Sequence, residues 1–154
     1  NTLKPLKEFL KRNSDVKFII HCGENPNFKN IDYEYVPFSS GKEQDVVRSF
    51  DIGLLPLPTG DPFADGKSPI KGIQYLASGL TIISSKTVSA ENIFKDLESI
   101  HFAKSKQDWL ERLSFVVNDR KNLTKYGQQS RNFFENTYDF NVIYQNLKNK
   151  TLEL

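Results

Sequence analysis

The sequence predicts an α/β fold, a doubly wound parallel sheet with helices on both faces. Short, uniformly apolar strands alternate with amphipathic helices along the first two-thirds of the chain, as expected of strands buried on both faces. The stretch Asp51 to Ser85, DIGLLPLPTGDPFADGKSPIKGIQYLASGLTIISS, reads as strand, glycine-bearing loop, helix and strand, which is one crossover unit. The last third carries helical periodicity alone.

Taken in order, Leu3, Leu6, Phe9 and Leu10 recur at helical spacing between charged residues, giving a first helix that runs to about Asn13. Val16 to Ile20 forms a short strand ended by the turn Gly23-Glu24-Asn25-Pro26. Ile31 to Val36 is a second strand, followed by Pro37 and Phe38. Ser40-Gly41-Lys42-Glu43 fits a capping box, which predicts a helix over 41–49 with Val46, Val47 and Phe50 facing inward.

The central unit comes next. Ile52 to Leu57 is a buried strand, and a loop rich in Pro, Gly and Asp leads to Gly66-Lys67-Ser68-Pro69. Ser68 is the expected N-cap of a helix from about Pro69 to Ser78, with Pro69 at its first position. Ile70, Ile73 and Ala77 are expected to face the sheet, with Lys71, Gln74 and Ser78 on the outer face. Gly79 closes the helix, and Thr81 to Ser84 is the next strand. Beyond it the pattern predicts a helix over Val88 to Leu97 and a short edge strand over Ser99 to Phe102. Further helices are predicted after Ser105, over Leu123 to Phe134, and from about Phe140 almost to the last residue.

Composition narrows the function. The chain of 154 residues, 38% hydrophobic with 12 Phe and 6 Tyr, can build a proper core. Its 21 basic and 19 acidic residues are too balanced for a nucleic-acid surface or a polybasic membrane patch, so no nucleic-acid partner is expected. Cys22 stands alone, which rules out a disulfide framework and suits a reducing, cytoplasmic setting. No signal peptide or bilayer-length apolar run occurs. His21 and His101 sit at apparent strand ends without metal-ligand spacing, and turn chemistry accounts for Asp61 and Asp65, so no metal is expected.

The strongest chemical signal is the helix start at Gly66-Lys67-Ser68-Pro69. Amides at a helix tip, the positive end of its dipole and an adjacent lysine favour an anion, phosphate above all. A solvated loop before a capped helix explains the same residues equally well on local chemistry alone. Gln74 lies about one turn further along, within reach of a sugar attached to a phosphate at the tip.

The runs FDIGLLPLP and GKSPIKGIQYLASGLTIISS resemble the nucleotide-binding C-terminal domain of GT-B-fold glycosyltransferases of the family 4 type, also called glycosyltransferases group 1. The likeness is strong over Phe50 to Ser85 and holds by pattern over nearly the whole chain. It implies one Rossmann-like half of a two-domain enzyme that transfers a sugar from a nucleotide-sugar donor, with retention, to a glycan or lipid-linked acceptor. By position, Pro37 and Phe38 would border the base, while Gly66, Lys67 and Ser68 with the tip amides would meet the diphosphate. Gln74 would reach the ribose, supported by Lys71. Many members carry two glutamates with seven residues between them, where this chain has Gly66 and Gln74. A glutamine still hydrogen-bonds a hydroxyl, whereas Gly66 cannot replace a carboxylate.

The resemblance also implies that the domain's first strand and the acceptor-binding domain are missing from residues 1–154. A helix over 141–154 would cross to that domain or pack on a second copy, and the fragment alone would be inactive. Association with a membrane periphery would come through the same absent domain. A noncatalytic nucleotide- or sugar-phosphate-binding module is the alternative.

Overall fold

A computed structural model describes residues 3–152. It bears out the α/β class: the five described strands pair in parallel within their sheets, and helices cover both faces. The strands fall into two sheets. Helix α1 (Leu3–Arg12) precedes strand β1 (Ile19–Cys22), which pairs with β2 (Glu34–Pro37). After helix α2 (Glu43–Arg48), strands β3 (Ile52–Leu55), β4 (Thr81–Ser85) and β5 (Ile100–Ala103) form the second sheet in that order. Between β3 and β4 lie α3 (Pro62–Gly66) and α4 (Ile70–Ala77), and α5 (Val88–Phe94) leads to β5. Helices α6 (Lys106–Asn118), α7 (Leu123–Thr137) and α8 (Phe140–Leu152) complete the described chain.

Strand β4 shows why this is a sandwich of helices about a sheet. All five of its residues are buried, and consecutive side chains enter opposite cores. Ile83 packs with Leu6 and Phe9 of α1 and with Trp109, Leu113 and Val116 of α6. Ile82 packs with Leu55, with Leu76 of α4 and with Phe94 of α5. Each such fully buried aliphatic contributes about 1.5–3 kcal/mol by leaving water. Val16, Phe18 and Ile31, beside the smaller sheet, join the core that also holds Ile52 and Leu54, so the two sheets share one apolar layer.

Several local expectations need correction. Strand β1 starts at Ile19, later than the run from Val16 suggests, although the Phe18 carbonyl already accepts from the Glu34 amide at 2.9 Å. The capping box does not form. Gly41 adopts φ +83°, the Ser39 carbonyl accepts from the Lys42 amide at 3.1 Å, and α2 begins only at Glu43 with no side-chain cap. The carboxylate of Glu43 is thereby released for a contact outside its own helix. Ser68 likewise caps nothing: Pro69 occupies the cap position, and the Ile70 amide bonds the backbone carbonyl of Ser68 at 2.9 Å.

Helix α4 is also rotated from the expected orientation. Ile70 is 55% exposed, and the buried stripe is Pro69, Gly72 and Leu76. The cause is close packing at glycine. A Cβ on Gly72 would lie 2.8 Å from the Phe94 ring, and one on Gly53 would lie 2.4 Å from the Tyr75 ring. Missing side chains on both partners let α4 sit down on β3 and α5. The C-terminus of α4 follows expectation, with Gly79 at φ +70° and its amide bonded to Leu76. Serine 130 of α7, fully buried, donates to the Leu80 carbonyl at 2.8 Å and pairs with Ser99 Oγ at 2.8 Å.

Beyond α7 the packing thins. Helix α8 rests on α7 and leaves Phe140, Tyr144 and Leu147 exposed. No helix among the described residues is long and apolar enough to cross a membrane.

His101 on β5 yields a pH prediction. Its ring lies between Phe115 and Tyr126, with centroids 5.4 and 5.7 Å away, and its Nε2 is buried without a partner. Burial first, and the Arg112 charge second, depress its pKa below 6.5, against the pull of Asp119. A group with a depressed folded pKa contributes stability above the unfolded value, and loses it as pH falls from about 6.5 toward the folded one. Thermal unfolding at pH 7 and pH 5 should therefore show a larger drop for the native chain than for His101→Gln; equal drops would exclude the effect.

Candidate functional site

The predicted residues gather at the carboxyl ends of the strands, where α/β sheets bind ligands. Strand β2 ends at Pro37, in register with Cys22, the last residue of β1. Both Pro37 and Phe38 are exposed, and the Phe38 amide is held by the Cys22 carbonyl at 2.9 Å. The Phe38 ring, 50% exposed, is backed by the His21 ring at a centroid distance of 5.8 Å. His21 is fixed by a 3.0 Å contact between Nδ1 and the Val36 carbonyl, and its Nε2 is buried with no partner.

The loop after β3 supplies the second group. Its exit is pinned by Ser85 Oγ, which accepts from the Leu57 amide at 3.0 Å. Helix α3 follows, capped by Asp61 through the Phe63 amide at 3.0 Å, and Asp65 accepts from the Val88 amide at the start of α5 at 3.1 Å. Both aspartates thus do turn and cap work, as the sequence suggests. Gly66, Lys67 and Ser68 are exposed on the approach to α4, and Lys67 Nζ stands 6.0 Å from the Phe63 ring centre. No carboxylate pairs with Lys67 among the described residues. No side chain caps α4, and of its first-turn amides that of Ile70 is already taken by the Ser68 carbonyl, which leaves those of Lys71 and Gly72.

Lys71 and Gln74 meet a residue that sequence reasoning assigned elsewhere. Glu43 Oε1 accepts from Lys71 Nζ at 2.5 Å. That hydrogen bond holds the Glu43 carboxyl below its ordinary range; the Lys71 charge, the nearby His21 ring and the Gln74 side chain add to it, and burial opposes it. Gln74 Oε1 is buried without a partner. His21 with Phe38 and Glu43 with Lys71 are contacting pairs, and the pull of His21 and Gln74 on the Glu43 carboxyl puts these residues of β1, the end of β2, α2 and α4 in one neighbourhood. Gly66, Lys67 and Ser68 adjoin it through the chain entering α4.

In the sequence, Glu43 reads as the last residue of a capping box, which hides its tie to α4. His21 has no metal-ligand spacing in the sequence, and its Nδ1 meets the Val36 carbonyl. A depression of about 390 Å³ lined by Leu10, Val16, Lys17, Phe18, Asp32 and Tyr33 lies at the opposite, entry end of β1 and β2 and includes none of these groups.

The arrangement offers an exposed aromatic face, a carboxylate, an unpaired ammonium and open helix amides, a set suited to a nucleoside joined to phosphate. A family model described as glycosyl transferase-like matches residues 3–149 of the chain. No curated protein matches it.

Proposed function

The chain belongs to the glycosyl transferase-like family, and from that premise we propose that it binds the nucleotide-sugar donor of a retaining, family 4 type GT-B glycosyltransferase. The sugar would pass to a glycan or lipid-linked acceptor, as in polysaccharide synthesis. The supporting observation is the start of α4: no side chain caps it, Gly66 and the unpaired Lys67 precede it, and it opens at the carboxyl end of β3. In this reading Gly66, Lys67, Ser68 and the α4 amides hold the diphosphate, so charge neutralisation comes from the protein and not from a metal. Pro37 and Phe38 border the base, and Lys71 and Gln74 lie on the ribose side.

Calorimetric titration with UDP, GDP and ADP tests the reading, with binding of at least one expected. If none binds, the donor-site assignment fails. Gln74→Ala should weaken binding about three- to tenfold, the scale of one hydrogen bond to a sugar hydroxyl.

The second reading, a noncatalytic nucleotide- or sugar-phosphate-binding module, draws on Gly66, which cannot supply a carboxylate beside the transferred sugar. The two readings part on turnover. A transferase releases nucleoside diphosphate from the donor when acceptor is present, and a binding module leaves the donor intact.

A further inference from the structure

We propose that Glu43, reaching across from α2, is the carboxylate that receives the ribose diol of the donor, a role that neither Gly66 nor Gln74 on the α3–α4 segment can fill. The inference rests on the donor-site reading above and assigns a contact within it.

A vicinal diol presents two hydroxyl donors side by side, and a carboxylate is the side chain that accepts both at once. Helix α4 has no carboxylate; it carries Lys71 and Gln74 instead. Both of those residues turn to Glu43. Lys71 bonds it at 2.5 Å, and the Gln74 side chain stabilises its ionised form. The carboxylate is thus anchored to the helix whose tip is the phosphate candidate, although it comes from a different element of the chain. Its side chain stays 25% exposed, so the pair with Lys71 does not seal it from a ligand.

The neighbours fit the same ligand. His21 neighbours Glu43 and backs the exposed Phe38 ring. One path through the group runs from an aromatic face that suits a base, past a carboxylate that suits a diol, to the α4 tip that suits phosphates. That order is the order of a nucleoside diphosphate. Two polar atoms within the group, His21 Nε2 and Gln74 Oε1, are buried without partners, which marks a network with unfilled hydrogen-bonding capacity.

The test compares whichever of UDP, GDP and ADP binds with its 2′,3′-dideoxy analogue, using the native chain, Glu43→Gln and Glu43→Ala. The native chain should bind the ribo form about tenfold or more tightly than the dideoxy form, the scale of hydrogen bonds to a charged group. Both variants should bring the two affinities within about threefold while keeping the preference for diphosphate over free nucleoside. Retained ribo-over-dideoxy discrimination in either folded variant, checked by circular dichroism, overturns the role of Glu43 and leaves the donor site standing. Absence of binding by the native chain to all three diphosphates overturns both.

Discussion

Gly127→Ala should lower stability by about 2–4 kcal/mol, which for a chain of this size moves the thermal midpoint down by roughly 6–12 °C. A Cβ at position 127 would lie 2.4 Å from the Gly79 carbonyl oxygen, a separation that real Cβ atoms do not adopt. The obstacle is backbone, so no rotamer change relieves it. Neither partner is free to withdraw. Gly79 is fixed at φ +70° by its place at the end of α4, while Ser130 and Arg131 of α7 bond the Leu80 and Ala77 carbonyls on either side of it. Because α4 carries Lys71 and Gln74, the same variant should also weaken nucleotide binding. Gly23→Ala, where nothing lies within 4 Å of the added carbon, is the matched control and should be close to neutral. An unchanged midpoint for Gly127→Ala would show that α4 and α7 pack less closely than described.

Lys67→Ala carries the largest functional expectation. Its ammonium has no carboxylate partner among the described residues, whereas that of Lys71 is engaged by Glu43. Lys67 is therefore the cation available to a diphosphate at the α4 tip. Its loss should weaken nucleoside diphosphate binding about 10- to 100-fold, while affinity for the free nucleoside stays within about twofold. Since Lys67 is exposed, the thermal midpoint should not move. The native affinity should also fall with added salt more steeply than that of the variant, because a solvent-facing charge pair is screened. Equal diphosphate affinity in the two proteins would remove the phosphate from the helix tip.

Much of this architecture is legible in the sequence because apolar periodicity reports burial directly. Adjacent Ile82 and Ile83 in a short strand announce cover on both faces, and the Trp109, Leu113 and Val116 spacing announces the helix that covers one of them. The orientation of α4 is not legible in this way. Its contact surface includes Gly72, whose contribution is an absent side chain, and hydrophobic patterning gives glycine no weight. Helix starts failed for a related reason. Ser40 and Ser68 have the right side chains for caps, but Gly41 at positive φ and Pro69 at the cap position set the backbone otherwise. For the candidate site, Lys67, Lys71 and Gln74 can be read from local spacing. Glu43 could not be read as their neighbour, since it lies 28 residues from Lys71 and only the folded chain brings the two together.

The division of five strands into a pair and a triplet has a consequence for self-association. One five-stranded sheet has two strands with an unpaired margin, and among the described residues this arrangement has four, β1, β2, β3 and β5. An open margin is a row of amides and carbonyls able to recruit another strand, the usual starting point of aggregation. Each of the four strands here is only four residues long, which limits how much any margin can recruit. A strand laid along β1 or β3 would be held chiefly by main-chain hydrogen bonds, an attachment that selects backbone direction before side-chain identity.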